Sequence, residues 1–299
     1  MDGVLEVVAR GAVLVFVVAC MAAAGLGLGV RDVVAPLRRR RLLAVALGAN
    51  FVVAPAIAYG LAALFALERP HATGLIILGG AAGAPFLPRL AELARGDVAY
   101  SVGLMLVLTV GSAAFLPVAL PLLVPGLSAN PWPILRPILG TMLLPLSIGM
   151  LVRGRSERWA NRLRPWFGVI ANVGMVVAVV LLIGLNFRAM LDVVGSGAIA
   201  AALLFVLAVL GVGYALGGPA PATRSVLGLG TGQRNIAAGL IVAGGNSDDP
   251  RVVIMLLVST LVGLLVLLPA ARYFGRRRLA EAGAARRPTE DVLPQEAAR

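Results

Sequence analysis

The chain has 299 residues, of which 60% are hydrophobic and only 13% are charged, and its mean hydropathy is +0.95. A soluble domain is about half apolar and about a quarter charged, so this composition excludes an ordinary soluble domain and indicates a polytopic membrane protein. The net charge of +12 does not indicate nucleic-acid binding, because the arginines are concentrated in short segments between apolar runs.

Nine apolar runs are long enough to span a membrane, each near the ~20 residues that a transmembrane helix needs. We predict an all-α polytopic fold, because lipid offers no hydrogen bonds to open strand edges. One transmembrane domain is expected over residues 1–273, in contact with the bilayer. A charged, alanine-rich and proline-broken cytosolic tail over 274–299 is expected to be disordered. The nine predicted spans are 4–29, 42–66, 72–92, 98–124, 132–152, 166–187, 195–217, 225–245 and 251–273.

Arginines occupy every second loop between the predicted spans, and this asymmetry predicts the orientation of the chain. Basic loops stay on the cytosolic side, so the N-terminus is expected outside and the C-terminus inside. That arrangement requires an odd number of spans, which nine satisfies. The arginine-rich segments are Arg31 and Arg38–Arg41, Arg89 and Arg95, Arg153–Arg164, Arg224, and Arg272–Arg278.

Two of the predicted spans are interrupted by glycines, one in each half of the chain. Spans one to four pair in order with spans six to nine in the opposite direction, which predicts an inverted repeat with two discontinuous crossing helices. Such matching interruptions indicate the binding site of a carrier, because half-helix ends attract ions. The glycines are also expected to let the helices cross closely. The predicted helix-break glycines are Gly79, Gly80, Gly83, Gly228, Gly230 and Gly232.

The second interruption also carries four polar side chains: Thr231, Gln233, Arg234 and Asn235. A guanidinium at membrane depth must face protein or a water-filled cavity, because its charge is costly in lipid. Arginine offers five donors and keeps its proton, so Arg234 suits either capping of backbone carbonyls or binding of an anionic substrate. The other three either cap the half-helices or contact substrate. Asn172, in the sixth span, is a further candidate that would face a cavity.

Five segments carry a resemblance to a known family: Met21–Val30, Ala49–Pro55, Gly79–Gly83, Leu93–Ser101 and Gly230–Asn235. Their order and spacing resemble the bile acid/sodium symporter family and its bacterial relatives. The resemblance implies the nine-span form of that fold, in a bacterial cell membrane. It also implies a mobile core domain that contains both broken helices, and a flatter panel domain. The core would be 42–124 and 195–273, and the panel 4–29 and 132–187.

The resemblance also implies sodium ligands, but these transfer unevenly. Asn50 stands where the family has an amide, Ser101 matches a hydroxyl ligand, and Gln233 takes the place of a glutamine if a one-residue shift is allowed. Asn50 and Ser101 could equally bridge helices. The family's central acidic ligand falls on Gly230, whereas Arg234 would repel a cation by about several kcal/mol at reduced dielectric. We hypothesise that sodium coupling is lost or weakened and that Arg234 holds the crossing helices or the anionic end of a substrate.

The predicted function is a secondary transporter of a small organic anion by alternating access, with coupling to sodium left open. The alternative is a sodium-independent, channel-like pore or uniporter of the same architecture. An enzyme is not predicted, because His71 and Cys20 are each alone and form neither a nucleophile–base pair nor a metal cluster. No other cofactor and no metal site are predicted. His71 is expected to be solvated in an outer loop.

Overall fold

The computed structural model describes residues 2–124, 126, 130, 132, 138–191, 193–244 and 249–285. Every regular element in these ranges is helical, as predicted for a backbone that must satisfy itself in lipid. The count of nine spans stays a prediction, since part of the fifth, 132–152, lies outside these ranges. Five helices there are long and apolar enough to cross a membrane: Val7–Gly27, Arg40–Leu64, Val98–Leu123, Ala198–Leu216 and Pro250–Glu281.

The second predicted span of the first half is a single helix with an unusual turn at its centre. A π-helical turn, Ala49–Val53, joins helix α3 (Arg40–Gly48) to helix α4 (Ala54–Leu64). Pro55, the second residue of α4, has no N–H and cannot continue the regular ladder, so the wider turn accommodates the missing bond. The helices of this half are α1 (Asp2–Gly27), α2 (Val30–Leu37), α3 (Arg40–Gly48), α4 (Ala54–Leu64), α5 (Arg69–Gly80), α6 (Leu87–Leu93) and α7 (Val98–Leu123).

The second half begins with another π-helical turn, Ile138–Leu143, which leads into a helix whose second residue is Pro145. The helices Pro221–Gly232 and Ile236–Gly244 are separated by only three residues. The last helix continues to Ala285, twelve residues beyond residue 273, the predicted end of the ninth span. The helices are α8 (Leu144–Arg155), α9 (Glu157–Leu191), α10 (Ala198–Leu216), α11 (Pro221–Gly232), α12 (Ile236–Gly244) and α13 (Pro250–Ala285).

The start of the predicted disordered tail is helical, which corrects the boundary at residue 274. Helix α13 continues to Ala285. Leucine, alanine and arginine are strong helix formers, and the Arg277–Glu281 ion pair at 3.0 Å has the i,i+4 spacing that supports a helix. The rest of the predicted tail, 286–299, lies outside the described residues.

Helices α1, α8 and α9 pack on one another and form one group. The crossing of α1 and α8 is close because glycines meet backbone there. A Cβ on Gly25 would lie 2.2 Å from the carbonyl oxygen of Leu146, and one on Gly149 would lie 2.7 Å from that of Ala22. Small residues at such crossings allow the van der Waals contact that holds membrane helices together.

A second group contains both interrupted helices. Helix α5 packs against α4 and α13, and α11 packs against α10, α6 and α7. Its interior is filled by large apolar side chains such as Leu75, Leu104 and Phe205, which are fully buried. Large apolar side chains also cover the outside, as expected where the solvent is lipid. Among them are Leu64, Val118, Leu122, Leu151 and Leu265.

Candidate functional site

The two interruptions lie against each other inside the second group. Residues Ala81–Ala84 separate α5 from α6, before a turn at Pro85, and Gln233–Asn235 separate α11 from α12. The backbone N–H of Asn235 donates to the carbonyl of Ala81 over 2.8 Å. All of these interrupting residues are buried. Irregular backbone at membrane depth must be satisfied by protein, and here each interruption supplies part of what the other needs.

The prediction that Gly228 and Gly230 interrupt a helix is wrong, because α11 runs through both and ends at Gly232. A Cβ on Gly228 would lie 3.1 Å from the Leu210 carbonyl oxygen, and one on Gly230 would lie 3.0 Å from Leu87 Cδ2. These two glycines therefore serve helix packing. Of the first set, Gly79 lies within α5, Gly80 ends it, and Gly83 lies inside the interruption.

Gly83 requires both its conformation and its lack of a side chain. Its φ is +83°, and a Cβ would lie 2.3 Å from the backbone nitrogen of Thr109. The hydroxyl of Thr109 donates to the Gly83 carbonyl over 2.6 Å. Ser112 Oγ accepts from the Ala82 N–H at 2.8 Å and lies 3.0 Å from the Ala82 carbonyl oxygen. Helix α7 thus satisfies the backbone of the first interruption.

Sequence reasoning missed Thr109 and Ser112. A signal for them does exist in the chain. Together with Ser101 they follow the spacing of eight and then three residues, which places all three hydroxyls on one face of α7.

Arg234 bridges the ends of the two interrupted helices. Its guanidinium donates to the carbonyl of Gly79 in the last turn of α5, over 3.3 Å, and to that of Thr231 in the last turn of α11. Its Cζ lies 5.7 Å from the centre of the Phe205 ring. The side chain is buried, and Nε has no partner among the described residues.

The charge of Arg234 is offset by helix ends. No carboxylate in the described part of the chain forms an ion pair with it. The carbonyls at the C-terminal end of a helix act as roughly half a negative charge. Two such ends, of α5 and α11, therefore offset about one positive charge. The Arg234 guanidinium therefore places one positive charge between the two helix ends, as a bound monovalent cation would, but it is covalently part of the chain.

Asn235 caps the second half of the same interrupted helix. Its Oδ1 accepts from the N–H of Ala238 over 3.1 Å, and its Nδ2 donates to the carbonyl of Gly83 over 3.3 Å. Asparagine is a favoured N-cap because its side-chain oxygen satisfies a free N–H of the first turn. One side chain therefore starts α12 and joins it to the first interruption.

Asn50 and Thr231 are brought together across two helices. Asn50 Nδ2 donates to Ala46 O over 2.9 Å and to Thr231 Oγ1 over 3.3 Å. The Thr231 hydroxyl donates in turn to Leu227 O over 2.8 Å. Asn50 lies in the first π-helical turn and is fully buried, and its Oδ1 has no partner among the described residues.

Gln233 and Arg234 line a cavity of about 10 Å³ together with Ser259 and Thr260 of α13. Ser259 Oγ and Arg234 Nε are both buried without a partner in the part of the chain that the structure describes. A space of this size is close to the minimum that admits one water molecule, and these four polar residues make up half of its lining.

Ser101 makes no hydrogen bond to either of the other two candidate ion ligands, Asn50 and Gln233, among the described residues. Its hydroxyl donates to Val98 O over 2.6 Å, within the first turn of α7. Among the described residues, Asn50, Ser101 and Gln233 share no hydrogen bond with one another.

His71, expected to be solvated, is instead buried in the first turn of α5, and its Nδ1 has no described partner. This expectation is wrong because helix α5 begins at Arg69, so His71 lies inside the packed helix and not in a loop.

A larger cavity of about 280 Å³ lies between the two groups of helices. Glu92 of α6 hydrogen-bonds to Arg89 on the same helix and lies 3.6 Å from Arg164 of α9. All three line the cavity, so its charged wall has one positive charge in excess. Asn172, half-buried on α9, and Cys20 of α1 also line it. Cys20 Sγ lies 3.7 Å from the carbonyl oxygen of Pro85, so the cavity adjoins the first interruption.

These features together define an all-helical, polytopic membrane protein whose two interrupted helices contact each other. A sequence model of the Sodium Bile acid symporter family matches residues 13–193, and the chain belongs to this family. The chain is 25% identical over 195 residues to the probable sodium/metabolite cotransporter BASS3, chloroplastic, of Arabidopsis thaliana. That similarity covers 65% of this chain and 45% of the plant protein, so the chain spans less than half the length of this relative.

Proposed function

We propose that the protein is a secondary transporter that moves a small organic anion across a bacterial cell membrane by alternating access, without a requirement for sodium. The family and the name of the plant relative support transport of a metabolite. The observation that carries the proposed lack of sodium coupling is the position of Arg234, whose guanidinium bridges the C-terminal ends of α5 and α11.

The electrostatics of this position favour a fixed cation over an exchangeable one. Sodium would need several oxygen ligands, and the carbonyls of Gly79 and Thr231 are already occupied by the guanidinium. A sodium ion next to the buried Arg234 guanidinium would be repelled by an energy on the order of several kcal/mol at reduced dielectric. The role of a coupling ion, which is to hold the crossing helices in one arrangement, would here be permanent.

The 280 Å³ cavity is the best candidate for the substrate site. Its volume lies just below the ~300–1,000 Å³ range of ligand pockets, which favours a small substrate. Arg89 and Arg164 provide guanidinium groups, which suit a carboxylate by forming paired hydrogen bonds. Asn172 would add a neutral contact. Thr231 and Asn235 would support the second interruption, since the Thr231 hydroxyl donates to the Leu227 carbonyl and the Asn235 amide to the Gly83 carbonyl.

The two groups of helices are the proposed moving parts. In this proposal the nine spans form an inverted repeat, with the N-terminus outside. The core, 42–124 and 195–273, contains both interruptions, which Arg234 and Asn235 fix to each other. The panel is 4–29 and 132–187. The ion pair between Glu92 and Arg164 joins the two parts across the cavity, and rocking of the core against the panel would have to break it.

The test is uptake into liposomes that contain the purified protein. Organic acids that raise its melting temperature are identified first, and uptake of the best one is then measured with sodium and with choline. We expect uptake to saturate with substrate and to differ less than twofold between the two cations. A tenfold loss in choline would reject the sodium-independent mechanism. Flux that never saturates would indicate the pore instead.

A further inference from the structure

A third cavity, of about 90 Å³, lies where α10, α11 and α13 meet at an arginine-rich end of the bundle. It exists because α13 continues beyond its predicted end. Its walls carry Arg224 from the start of α11, Arg277, Arg278 and Glu281 from α13, and the rings of Tyr214 and Phe274. The proposed transport function uses none of these residues.

Aromatic stacking holds Arg224 in the cavity wall. The rings of Tyr214 and Phe274 stack with 5.0 Å between their centres and 11° between their planes. Arg224 Cζ lies 4.6 Å from the centre of the Tyr214 ring, and its Nε lies 3.4 Å from the Tyr214 carbonyl oxygen. This leaves the two terminal nitrogens of the guanidinium without a hydrogen bond among the described residues, so they are free to bind a ligand.

The cavity has more positive charge than its own carboxylate can offset. Glu281 accepts a hydrogen bond from Arg277 Nε over 3.0 Å. Arg278 is half-buried and has neither a hydrogen bond nor an ion pair within the described ranges. Two of the three arginines are thus uncompensated. Pro221 also lines the space and begins α11, whose N-terminal end adds a partial positive charge.

We propose that this cavity binds a phosphate group. Guanidinium groups form paired, charge-assisted hydrogen bonds with phosphate oxygens, and an anion with more than one negative-charge-bearing oxygen suits two uncompensated arginines. The volume is well above the ~10–15 Å³ that admits one water. The phosphate comes either from an anionic lipid headgroup or from solution. Tyr273, exposed on α13 next to Phe274 of the cavity wall, is a residue typical of a membrane interface, and Leu279 exposes an apolar side chain on the same helix; both favour the lipid.

The binding test measures the melting temperature of the purified full-length protein in detergent. The probes are short-chain phosphatidylglycerol, with phosphatidylcholine as its control, and inorganic phosphate, with chloride at equal ionic strength. The variant is Arg278→Gln, which removes no hydrogen bond and no ion pair among the described residues and so should fold normally. Arg276→Gln is the matched control, because Arg276 is exposed on the same helix but does not line the cavity.

We expect a probe to stabilise the wild-type protein and the Arg276→Gln variant equally. In Arg278→Gln the apparent affinity should fall roughly tenfold, as for loss of one charged hydrogen bond. Stabilisation by phosphatidylglycerol alone identifies a lipid headgroup, and stabilisation by inorganic phosphate identifies a phosphate from solution. The proposal is overturned if neither probe stabilises the protein, or if Arg278→Gln responds like Arg276→Gln. None of these outcomes depends on transport.

Discussion

Arg234 donates a hydrogen bond over 3.3 Å to the carbonyl of Gly79, a residue 155 positions earlier in the chain. The same guanidinium bonds to Thr231, one turn before it on its own interrupted helix. A single side chain thus joins the last turns of two half-helices and supplies the positive charge that their carbonyls attract. In a family named for sodium symport, this contact explains how the crossing could be held together without the ion.

Replacement of Arg234 by alanine should destabilise the protein and make it sensitive to small cations. Two charged hydrogen bonds are lost, while removal of the buried charge offsets part of that loss, so we expect a net cost of about 2 kcal/mol. The vacated space exposes the carbonyls of Gly79 and Thr231 to another cation. Low-millimolar guanidinium or sodium should therefore raise the melting temperature of Arg234→Ala and leave that of the wild type unchanged.

The control for this prediction is Arg224→Ala, which removes an arginine from α11 that does not contact either interruption. It should show no cation response. Equal responses of wild type and Arg234→Ala would contradict the view that the guanidinium occupies a cation position.

Replacement of Gly83 by alanine should be far more costly than replacement of a helical glycine that has open space around its Cβ position. The new Cβ would combine a left-handed φ of +83° with a 2.3 Å approach to the backbone of Thr109. We expect a loss of about 3 kcal/mol or more, seen as a lower melting temperature. Gly60→Ala is the control, because Gly60 lies in α4 with nothing within 4 Å of its Cβ position. Similar melting temperatures for the two variants would show that the first interruption can relax around a side chain.

The family, the membrane class and the apolar helices could be predicted from the sequence, because each depends on hydrophobic length and on short motifs. The point at which α11 ends could not. Glycine at Gly228 and Gly230 serves close packing, and a glycine pattern alone does not distinguish packing from interruption. The helix ends instead at Gly232, and in the interruption that follows, the side chains of Arg234 and Asn235 replace the lost backbone hydrogen bonds.

Contacts between residues that are far apart in the chain also could not be predicted from the sequence. The support of Ala82 and Gly83 by Ser112 and Thr109 depends on how α7 packs against the first interruption. The cavity around Arg224 depends on the continuation of α13 past residue 273, where charged residues suggested a solvated tail. In both cases local composition was informative about the element, and tertiary contact determined its role.

The hydrogen bond between Asn50 and Thr231 should be energetically weak but measurable. It joins the π-helical turn before α4 to the end of α11. Double-mutant cycles between membrane helices give about 0.6 kcal/mol on average, and we expect a coupling of about 0.5–1 kcal/mol between Asn50→Ala and Thr231→Val. The measurement is unfolding of the four variants in detergent. Thr231→Ser, which keeps the hydroxyl, should retain the coupling, and strictly additive effects of the alanine and valine changes would show that the contact contributes nothing.

Replacement of Glu92 by glutamine should strengthen binding of an anionic substrate without much effect on stability. Glu92 pairs with Arg89 and Arg164 at a partly exposed position, and such pairs contribute about 0–1 kcal/mol. Without the carboxylate both guanidinium groups can hydrogen-bond to the substrate. The substrate concentration that gives half-maximal uptake should therefore fall several-fold. Glu157→Gln is the control, since Glu157 pairs with Arg153 at 3.9 Å and does not line the cavity. If Glu92→Gln folds normally but needs the same substrate concentration for half-maximal uptake, the substrate does not bind between α6 and α9.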